Sequence, residues 1–401
     1  MSAADEPEHI RRPHARPFQP IPTMKEKQPY CGLRDPLNLA GKMLVVPAQI
    51  VGVLGLFQGE QDVREIAQKV GAPEEPILEL AKQLEAVGLL WGPTSERMER
   101  ELAARLKERG RYEVGAAAAF GGTAEETRKA LEALLAQSED PELESPARAI
   151  IAPHLDAPRG GPNYGAAYRA LAGNTAFDRV VVLGTNHFGM GDGVVGARLG
   201  FDTPLGPVAC DAEFASGMEK LLGERLYKDE LDHVGEHSIQ LQMPWIAHLL
   251  PGVPVWAALV PSPLQRMLSD DGARASHAEF CGALPRALEG TGRTLLVISA
   301  DLSHVGPQFG DQTAVDDDRL REIEAHDRSM LGSYEAGNPD DFVVAMAEHE
   351  NATRWCSIGS MSAALHALGG AGVELLQYRQ AIDERRSCLV TSAAMAICGG
   401  Q

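Results

Sequence analysis

Three apolar runs of the sequence each end in a histidine. They are ARAIIAPH, which ends at His154, DRVVVLGTNH, which ends at His187, and TLLVISADLSH, which contains Asp301 and ends at His304. Continuous Val, Ile and Leu runs are typical of strands buried on both faces of a parallel sheet. In open α/β sheets, ligands bind beyond the carboxyl ends of the strands. The pattern therefore predicts a metal site or an acid–base site at one edge of a sheet.

Each of these histidines also has a structural alternative. A single strand-end histidine is often a loop residue with one hydrogen bond, and Asp301 could instead cap a helix beside an incidental His304. Two histidines after consecutive parallel strands make a functional role more plausible for each, because adjacent strands bring their ends together. A carboxylate near them is the usual partner of a metal-bound or catalytic imidazole.

Two further residues are candidates because of the helices that they precede. Cys356 lies just before SIGSMSAALHAL, and both the positive helix end and Arg354 are expected to lower the pKa of its thiol. A buried, inert cysteine is the alternative. His237 lies just before the helix predicted to begin at Ser238, so its side chain could point into the same site.

Two formal motif matches are rejected. GDGVVG at 191–196 matches the dinucleotide fingerprint, but it follows a long loop and does not open a helix. HVGEH at 233–237 matches a metalloprotease pattern that needs one continuous helix, and Gly235 interrupts it.

The composition sets the frame for these residues. The chain has 401 residues, 44% hydrophobic and 23% charged, which indicates a globular protein. Its length allows one large domain with a small one, or two to three domains of average size. A net charge of −19 argues against a nucleic-acid binder. The sequence has no run of 18 apolar residues, so it predicts no membrane-spanning helix. Six scattered cysteines and the lack of a signal-peptide pattern predict a cytoplasmic location.

Three segments follow from the patterning along the chain. Residues 1–28 are polar and rich in proline, which predicts a disordered tail. Residues 29–110 predict a small helical domain, with apolar residues on one face of EEPILELAKQLEAVG and a short strand at Leu89–Trp91. Residues 111–401 alternate strands with helices, which predicts an α/β domain with a mostly parallel central sheet and helices on both faces. Its last two strands are expected to be antiparallel at the sheet edge.

Residues 112–401 resemble the Memo family, which includes protein B of the AmmeMemoRadiSam system. The resemblance rests on the order and spacing of several patches, which are PARAIIAPH, PNYG, VVVLGTNHFG, TPLGPV, EHSIQLQMPW, ADLSH, WCSIG and CLVTSAAMA. It implies a fold like that of class III extradiol dioxygenases, with a metal at the strand ends. Two departures are GAAAAFG at 115–121, where many members carry His-Ala-Gly, and Phe188, where some carry another histidine.

The same resemblance implies the roles of the site residues. His154, His187 and Cys356 correspond to metal ligands, Asp301 and His304 to a polar pair with His304 as the acid–base group, and His237 to a histidine near the cleft. Residues 29–110 resemble a PqqD-like winged helix; the alternative is a helical cap. This region is a candidate site for a protein partner.

The predicted function is a metal-dependent enzyme that acts on a small or peptide-borne substrate. Two histidines and one carboxylate with open positions suit Fe(II) and O₂. Here Cys356 replaces the carboxylate, and its softer thiolate also admits Zn(II) or Cu(I). His304 would move protons, oriented by Asp301, with His237 as a further catalytic group. One alternative is a non-catalytic protein that holds a peptide or partner in the same cleft. Another, less favoured, is a zinc hydrolase.

Overall fold

A computed structural model describes residues 6–189, 192–265 and 272–399, and these residues form two compact units. The N-terminal unit contains the described residues up to Gly110, with Phe188 and Gly189. The C-terminal unit contains Arg111–His187 and the described residues from 192 onward. No helix among the described residues is both long enough and apolar enough to cross a membrane.

The N-terminal unit combines short helices with a three-stranded antiparallel sheet in the order β1-β2-β3. Its elements are α1 (Glu8–Arg11), β1 (Gln19–Lys25), β2 (Gln28–Arg34), β3 (Leu44–Pro47), a 3₁₀ turn (Ala48–Ile50), α2 (Val51–Leu54), α3 (Val63–Val70), α4 (Glu74–Ala86) and α5 (Pro93–Arg109). The apolar face predicted on α4 is buried, as expected.

The sheet is the main difference from the helical domain that the sequence predicts. Residues 8–11 and 19–25 have regular structure, where the composition led us to expect a disordered tail. The prolines of QPIPTMK conceal the strand pattern, because β1 is defined by backbone pairing with β2 rather than by local preference. Leu90 forms an isolated bridge with Ala15 instead of a wing hairpin.

The C-terminal unit has strands and helices in alternation. Its strands are β4 (Arg111–Tyr112), β5 (Ala147–Ala152), β6 (Arg179–Gly184), β7 (Val195–Gly196), β8 (Gly200–Thr203), β9 (Gly206–Val208), β10 (Val255–Leu259), β11 (Thr294–Ser299), β12 (Asp301–Val305), β13 (Gly372–Ile382) and β14 (Leu389–Cys398). Its α-helices are α6 (Ala124–Gln137), α7 (Ala157–Arg169), α8 (Ala212–Leu222), α9 (His237–Gln240), α10 (Met243–Leu249), α11 (His277–Leu288), α12 (Asp317–Glu335), α13 (Pro339–Glu348) and α14 (Ile358–Leu368). Short 3₁₀ helices span Gly115–Phe120, Glu224–Tyr227, Glu230–Val234 and Pro307–Phe309.

The central sheet has eight strands and is mixed, not mostly parallel. β5, β11, β6 and β10 lie side by side and run parallel, whereas β7, β12, β13 and β14 make antiparallel pairings. A continuous apolar run indicates that a strand is buried but not which way it runs, which is why the sequence overstated the parallel share. β13 and β14 pair antiparallel, as predicted.

β14 joins two different strands along one of its edges. Met395–Cys398 pair with β5, and Leu389–Ser392 pair with β12, while β13 pairs along the other edge. β12 therefore continues along β14 where β5 ends. The central strands are buried on both faces, because Val181 and Leu183 are as fully buried as Val180 and Val182. Helices α8, α11 and α14 contribute side chains to the same core cluster as Val181 and Leu183.

Close packing at the start of α14 generates a stability prediction. A Cβ at Gly359 would overlap the carbonyl oxygen of Pro261, so Gly359→Ala must displace backbone. We expect a loss of roughly 1–3 kcal/mol in the free energy of unfolding, measured by urea denaturation. Gly332→Ala is the matched control, since a Cβ there meets no atom within 4 Å in the interior of α12. It should be neutral or stabilising by about 0.5–1 kcal/mol. Equal midpoints for the two variants would contradict the packing argument.

Candidate metal centre

Three neighbouring strands deliver the central residues of the site. β11 lies between β5 and β6, and all three run parallel. His154 follows β5, Asp301 follows β11, and His187 follows β6, so the common strand direction brings them to one edge. His237, the first residue of α9, joins them there. The ligand nitrogens of His154, His187 and His237 all lie within 4.8 Å of one another.

Glu236 orients two of these imidazoles at once. Its Oε1 lies 3.0 Å from Nδ1 of His187 and 3.2 Å from Nδ1 of His237. Its Oε2 accepts the backbone N–H of His187 at 2.7 Å, and Oε1 also caps α9 by accepting from Ser238 at 2.8 Å. Burial alone would raise the pKa of Glu236, but the hydrogen bonds from His187 and His237 outweigh it and hold that pKa well below its usual range. An ionised Glu236 accepts from both rings.

A chain of buried polar groups orients the third imidazole. Ser299 Oγ donates its one proton to Ser238 O at 2.5 Å, and it accepts from Gln242 Nε2 at 2.9 Å. Its remaining lone pair faces Nδ1 of His154 at 3.3 Å. Because Ser299 has no second proton to give, Nδ1 of His154 must carry the hydrogen. Tyr168 completes the chain by donating to Gln242 Oε1 at 2.9 Å.

All three histidines therefore have an acceptor at Nδ1, which leaves Nε2 as the nitrogen that faces the shared site. This is the arrangement that metal-binding histidines usually have, with the second nitrogen hydrogen-bonded to an oxygen. Burial, followed by the neighbouring His187 and His237, lowers the pKa of His154 well below its usual value. A neutral imidazole is the form that binds metal. The donor set therefore fits a divalent transition-metal ion.

Cys356 lies beside this group but is not one of the three. Its Sγ is 3.3 Å from His154 Nε2 and 3.7 Å from the backbone oxygen of Asp301. Burial, and then Asp301, raise the pKa of this thiol, which corrects the prediction that the helix end and Arg354 lower it. The guanidinium of Arg354 instead pairs with Asp311 and donates to His304 O at 2.8 Å.

Asp301 and His304 lie near each other in sequence but have different partners. Asp301 Oδ1 accepts the backbone N–H of His154 at 2.9 Å, and burial raises the pKa of this carboxyl to about 7. His304 Nδ1 faces Leu302 O at 3.0 Å and Arg354 O at 3.1 Å. Backbone carbonyls, not the predicted Asp301, thus orient His304. Burial lowers its pKa to about 4, so its Nε2 is an unprotonated base at neutral pH.

Two cavities adjoin the histidine group. The first, of about 520 Å³, is lined by His154, His187, His237, Asp301 and His304, with Arg159 and Phe309 among the other lining residues. The second, of about 720 Å³, shares His187 and reaches Cys356. The acid–base residues and the thiol thus face different cavities.

The two rejected motifs have other roles, or lie partly outside the described residues. His233 is fully buried in the 3₁₀ helix Glu230–Val234, and its Nε2 lies 3.1 Å from Val195 O. It is therefore separated from His237, which begins a different helix. Gly191, the first glycine of GDGVVG, lies outside the described residues, and Val195–Gly196 form a short strand.

Sequence reasoning missed the residues that orient the imidazoles. Glu236 was seen only as part of a rejected motif, although a carboxylate beside His237 at a helix start is a recognisable signal. Ser299 is the one polar residue at the end of TLLVIS, and Gln242 lies within an apolar helical segment. Polar residues inside apolar runs point to buried hydrogen bonds, but only the fold shows their partners.

Comparison with known proteins gives matches over the C-terminal unit. The sequence profile of the family described as "Memo-like protein" matches residues 111–396. A MEMO1 family protein of Aquifex aeolicus is 27% identical over 291 residues, which cover 71% of this chain and 74% of that protein. One from Thermus thermophilus is 29% identical over 285 residues, covering 69% and 82%. The family match begins after the N-terminal unit, so the PqqD-like resemblance stays a prediction.

The shared carboxylate generates the first prediction for this site. Glu236→Gln replaces one oxygen by an NH₂ group, which cannot accept the backbone and ring N–H groups of His187 together with that of His237. We expect the affinity for Zn²⁺ or Fe²⁺ to fall by about 10–100-fold in isothermal titration. Glu230→Gln is the control, because Glu230 is largely buried and accepts from Tyr112 and Arg198 instead. Equal affinity in both variants would show that Glu236 does not orient the ligands.

The lowered pKa of His304 generates a prediction for acid stability. Between its folded value of about 4 and the ordinary value of 6.5, the unfolded chain binds a proton that the folded protein does not. The free energy of unfolding should therefore fall as pH decreases through this window, by on the order of 3 kcal/mol from this residue. His304→Gln should remove that part of the pH dependence in urea denaturation of the metal-free protein. An unchanged slope between pH 6.5 and 4 would contradict the assignment.

Proposed function

The chain belongs to the Memo-like protein family, and from this premise we propose that its C-terminal unit is a metal-dependent redox enzyme. The family resemblance predicted from the sequence is thereby confirmed. His154, His187 and His237 would hold the metal, and Cys356 would bind it from the side of the second cavity. The observation that carries the proposal is Glu236, whose Oε1 accepts from two of the imidazoles and so orients both beside His154.

Fe(II) is the metal that we favour. A bound iron would supply redox chemistry with O₂, for which a site needs few protein ligands and an open position. The first cavity provides such access to the histidines. Nitrogen ligands with a thiolate also suit Zn(II) and Cu(I), so the identity of the metal is part of the test.

The surrounding residues would bind the substrate and move its protons. The cavity of about 520 Å³ fits a small molecule or the end of a peptide. Nε2 of His304 would accept a proton from a substrate hydroxyl or amine. Nδ1 carries the ring hydrogen, because it faces two carbonyl oxygens that can only accept. Asp301, with a pKa of about 7, can both give and accept a proton beside His154. Leu155, Phe309 and Val390 supply the apolar wall that excludes water.

A non-catalytic binding protein is the second candidate, and the second cavity favours it. That cavity, of about 720 Å³, is large enough for a short peptide segment, and the amide of Gln265 in its lining could pair with a peptide backbone. The N-terminal unit would then hold a protein partner. A zinc hydrolase is the weakest candidate; the same ligands could hold a zinc-bound water, and its activity would not depend on O₂.

Anaerobic metal loading tests the first proposal. We expect the purified protein to bind one Fe(II) and, when a catechol is supplied as a probe substrate that provides the electrons and the hydroxyl proton, to consume O₂. His187→Ala should abolish both. His304→Ala should retain the metal but reduce O₂ consumption by at least about 100-fold, because general bases typically contribute 10²–10⁴-fold. His349→Ala, which replaces an exposed histidine that is in the lining of neither cavity, is the control.

The outcomes separate the candidates. Iron-dependent O₂ consumption that disappears in His304→Ala excludes the non-catalytic alternative. Metal binding without O₂ consumption, together with equal behaviour of His304→Ala and His349→Ala, favours the binding protein. A protein with no affinity for Fe(II), Zn(II) or Cu(I) overturns the metal-dependent proposal altogether.

A further inference from the structure

Asp327, in the middle of α12, is a fully buried carboxylate outside the two cavities of the metal centre. It accepts four hydrogen bonds, from Ser303 Oγ at 2.5 Å, Trp355 Nε1 at 2.9 Å, Tyr378 Oη at 2.8 Å and Thr391 Oγ1 at 2.6 Å. Across the described residues, Asp327 makes no ion pair. A buried carboxylate is costly unless it is well paired, so a set of four donors needs an explanation.

The two oxygens of Asp327 serve two different parts of the fold. Oδ1 accepts from Ser303 and Trp355, whereas Oδ2 accepts from Tyr378 in β13 and Thr391 in β14. Ser303 immediately precedes His304, and Trp355 immediately precedes Cys356. Oδ1 therefore links the residue before the proposed base His304 to the residue before the proposed ligand Cys356. Oδ2 attaches Asp327 itself to β13 and β14.

The segments that carry His304 and Cys356 are also joined directly. The backbone N–H of His304 donates to Thr353 O at 2.7 Å, and Arg354 O faces the His304 ring at 3.1 Å. Arg354 adopts a left-handed backbone conformation with φ of 62°, which costs on the order of 1 kcal/mol or more in a non-glycine residue. Neighbouring contacts are needed to hold Arg354 against β12. Asp327 supplies two of them, because it accepts from Ser303 in β12 and from Trp355, the residue after Arg354.

We propose that Asp327 is a positioning residue of the metal centre, which fixes the spacing between His304 and Cys356 through Oδ1. The inference rests on the proposed function, in which Cys356 binds the metal and His304 acts beside it. A purely structural role, in which Asp327 only anchors α12 to the sheet, is the competing explanation. The two roles assign importance to different oxygens of the same carboxylate.

Two variants that each remove one hydroxyl donor separate these roles. Ser303→Ala deletes a donor to Oδ1, and Tyr378→Phe deletes a donor to Oδ2. Asp327→Asn replaces one oxygen by an NH₂ group, which cannot accept from the two donors that face it, and it removes the negative charge from the other oxygen. Asp211→Asn is the control for loss of a buried carboxylate elsewhere, because Asp211 pairs with Arg179 at 2.6 Å.

The measurement uses Co(II), which gives a near-ultraviolet charge-transfer band when a thiolate binds it. We expect Ser303→Ala and Asp327→Asn to lose this band and to bind Co(II) about 10–100-fold more weakly than the unchanged protein. Tyr378→Phe and Asp211→Asn should keep the band and the affinity, even where urea denaturation shows lower stability. If Asp327→Asn does not fold, the comparison of Ser303→Ala with Tyr378→Phe decides.

The failure of this inference is distinct from the failure of the proposed function. If the unchanged protein binds no Co(II), Fe(II) or Zn(II), the proposed metal centre fails and the role of Asp327 fails with it. If it binds Co(II) with a thiolate band, and Ser303→Ala matches Tyr378→Phe in band and affinity, the metal centre stands and the positioning role is overturned.

Discussion

The common direction of β5, β11 and β6 is the constraint on which the site depends. Three parallel neighbours must end at the same edge of the sheet, so the residues that follow them meet without any special loop. The chain then leaves β11 at Ala300 and enters β12, which pairs with β14 just beyond the end of β5. Asp301 is thereby set against the backbone of His154, and the acid–base residues are placed beside the histidines.

Burial disfavours the charged forms of four groups in the metal-free site. It raises the pKa of Asp301 and of the Cys356 thiol, and it lowers the pKa of His154 and of His304. Glu236 is the exception, because two imidazoles and two backbone groups donate to it. A cation entering this site would meet imidazoles that are already oriented, and it would have to displace the thiol proton to gain a sulfur ligand.

The strand-end histidines could be predicted from the sequence because burial and strand ends leave a local pattern. His154, His187 and Asp301 lie where that pattern places them. The partners of those residues could not be predicted, because Glu236, Ser299 and Gln242 act through hydrogen bonds between distant parts of the chain. The expected effect of the helix end on Cys356 was wrong for the same reason, since burial is a property of the tertiary fold. The N-terminal sheet was not predicted because both of its seven-residue strands contain proline, which is unfavourable in a strand.

The position of β14 has a consequence for the order of events during synthesis. Residues 301–305 pair within the sheet only through residues 389–392, which leave the ribosome almost ninety residues later. The histidines after β5 and β6 can gather once β11 has emerged, whereas His304 must wait for a strand that is translated much later. Pairings between segments this far apart in sequence form slowly, because the intervening loop must close first. A nascent chain can therefore assemble the nitrogen ligands before it has a base, and any ion bound at that stage would meet an unfinished pocket.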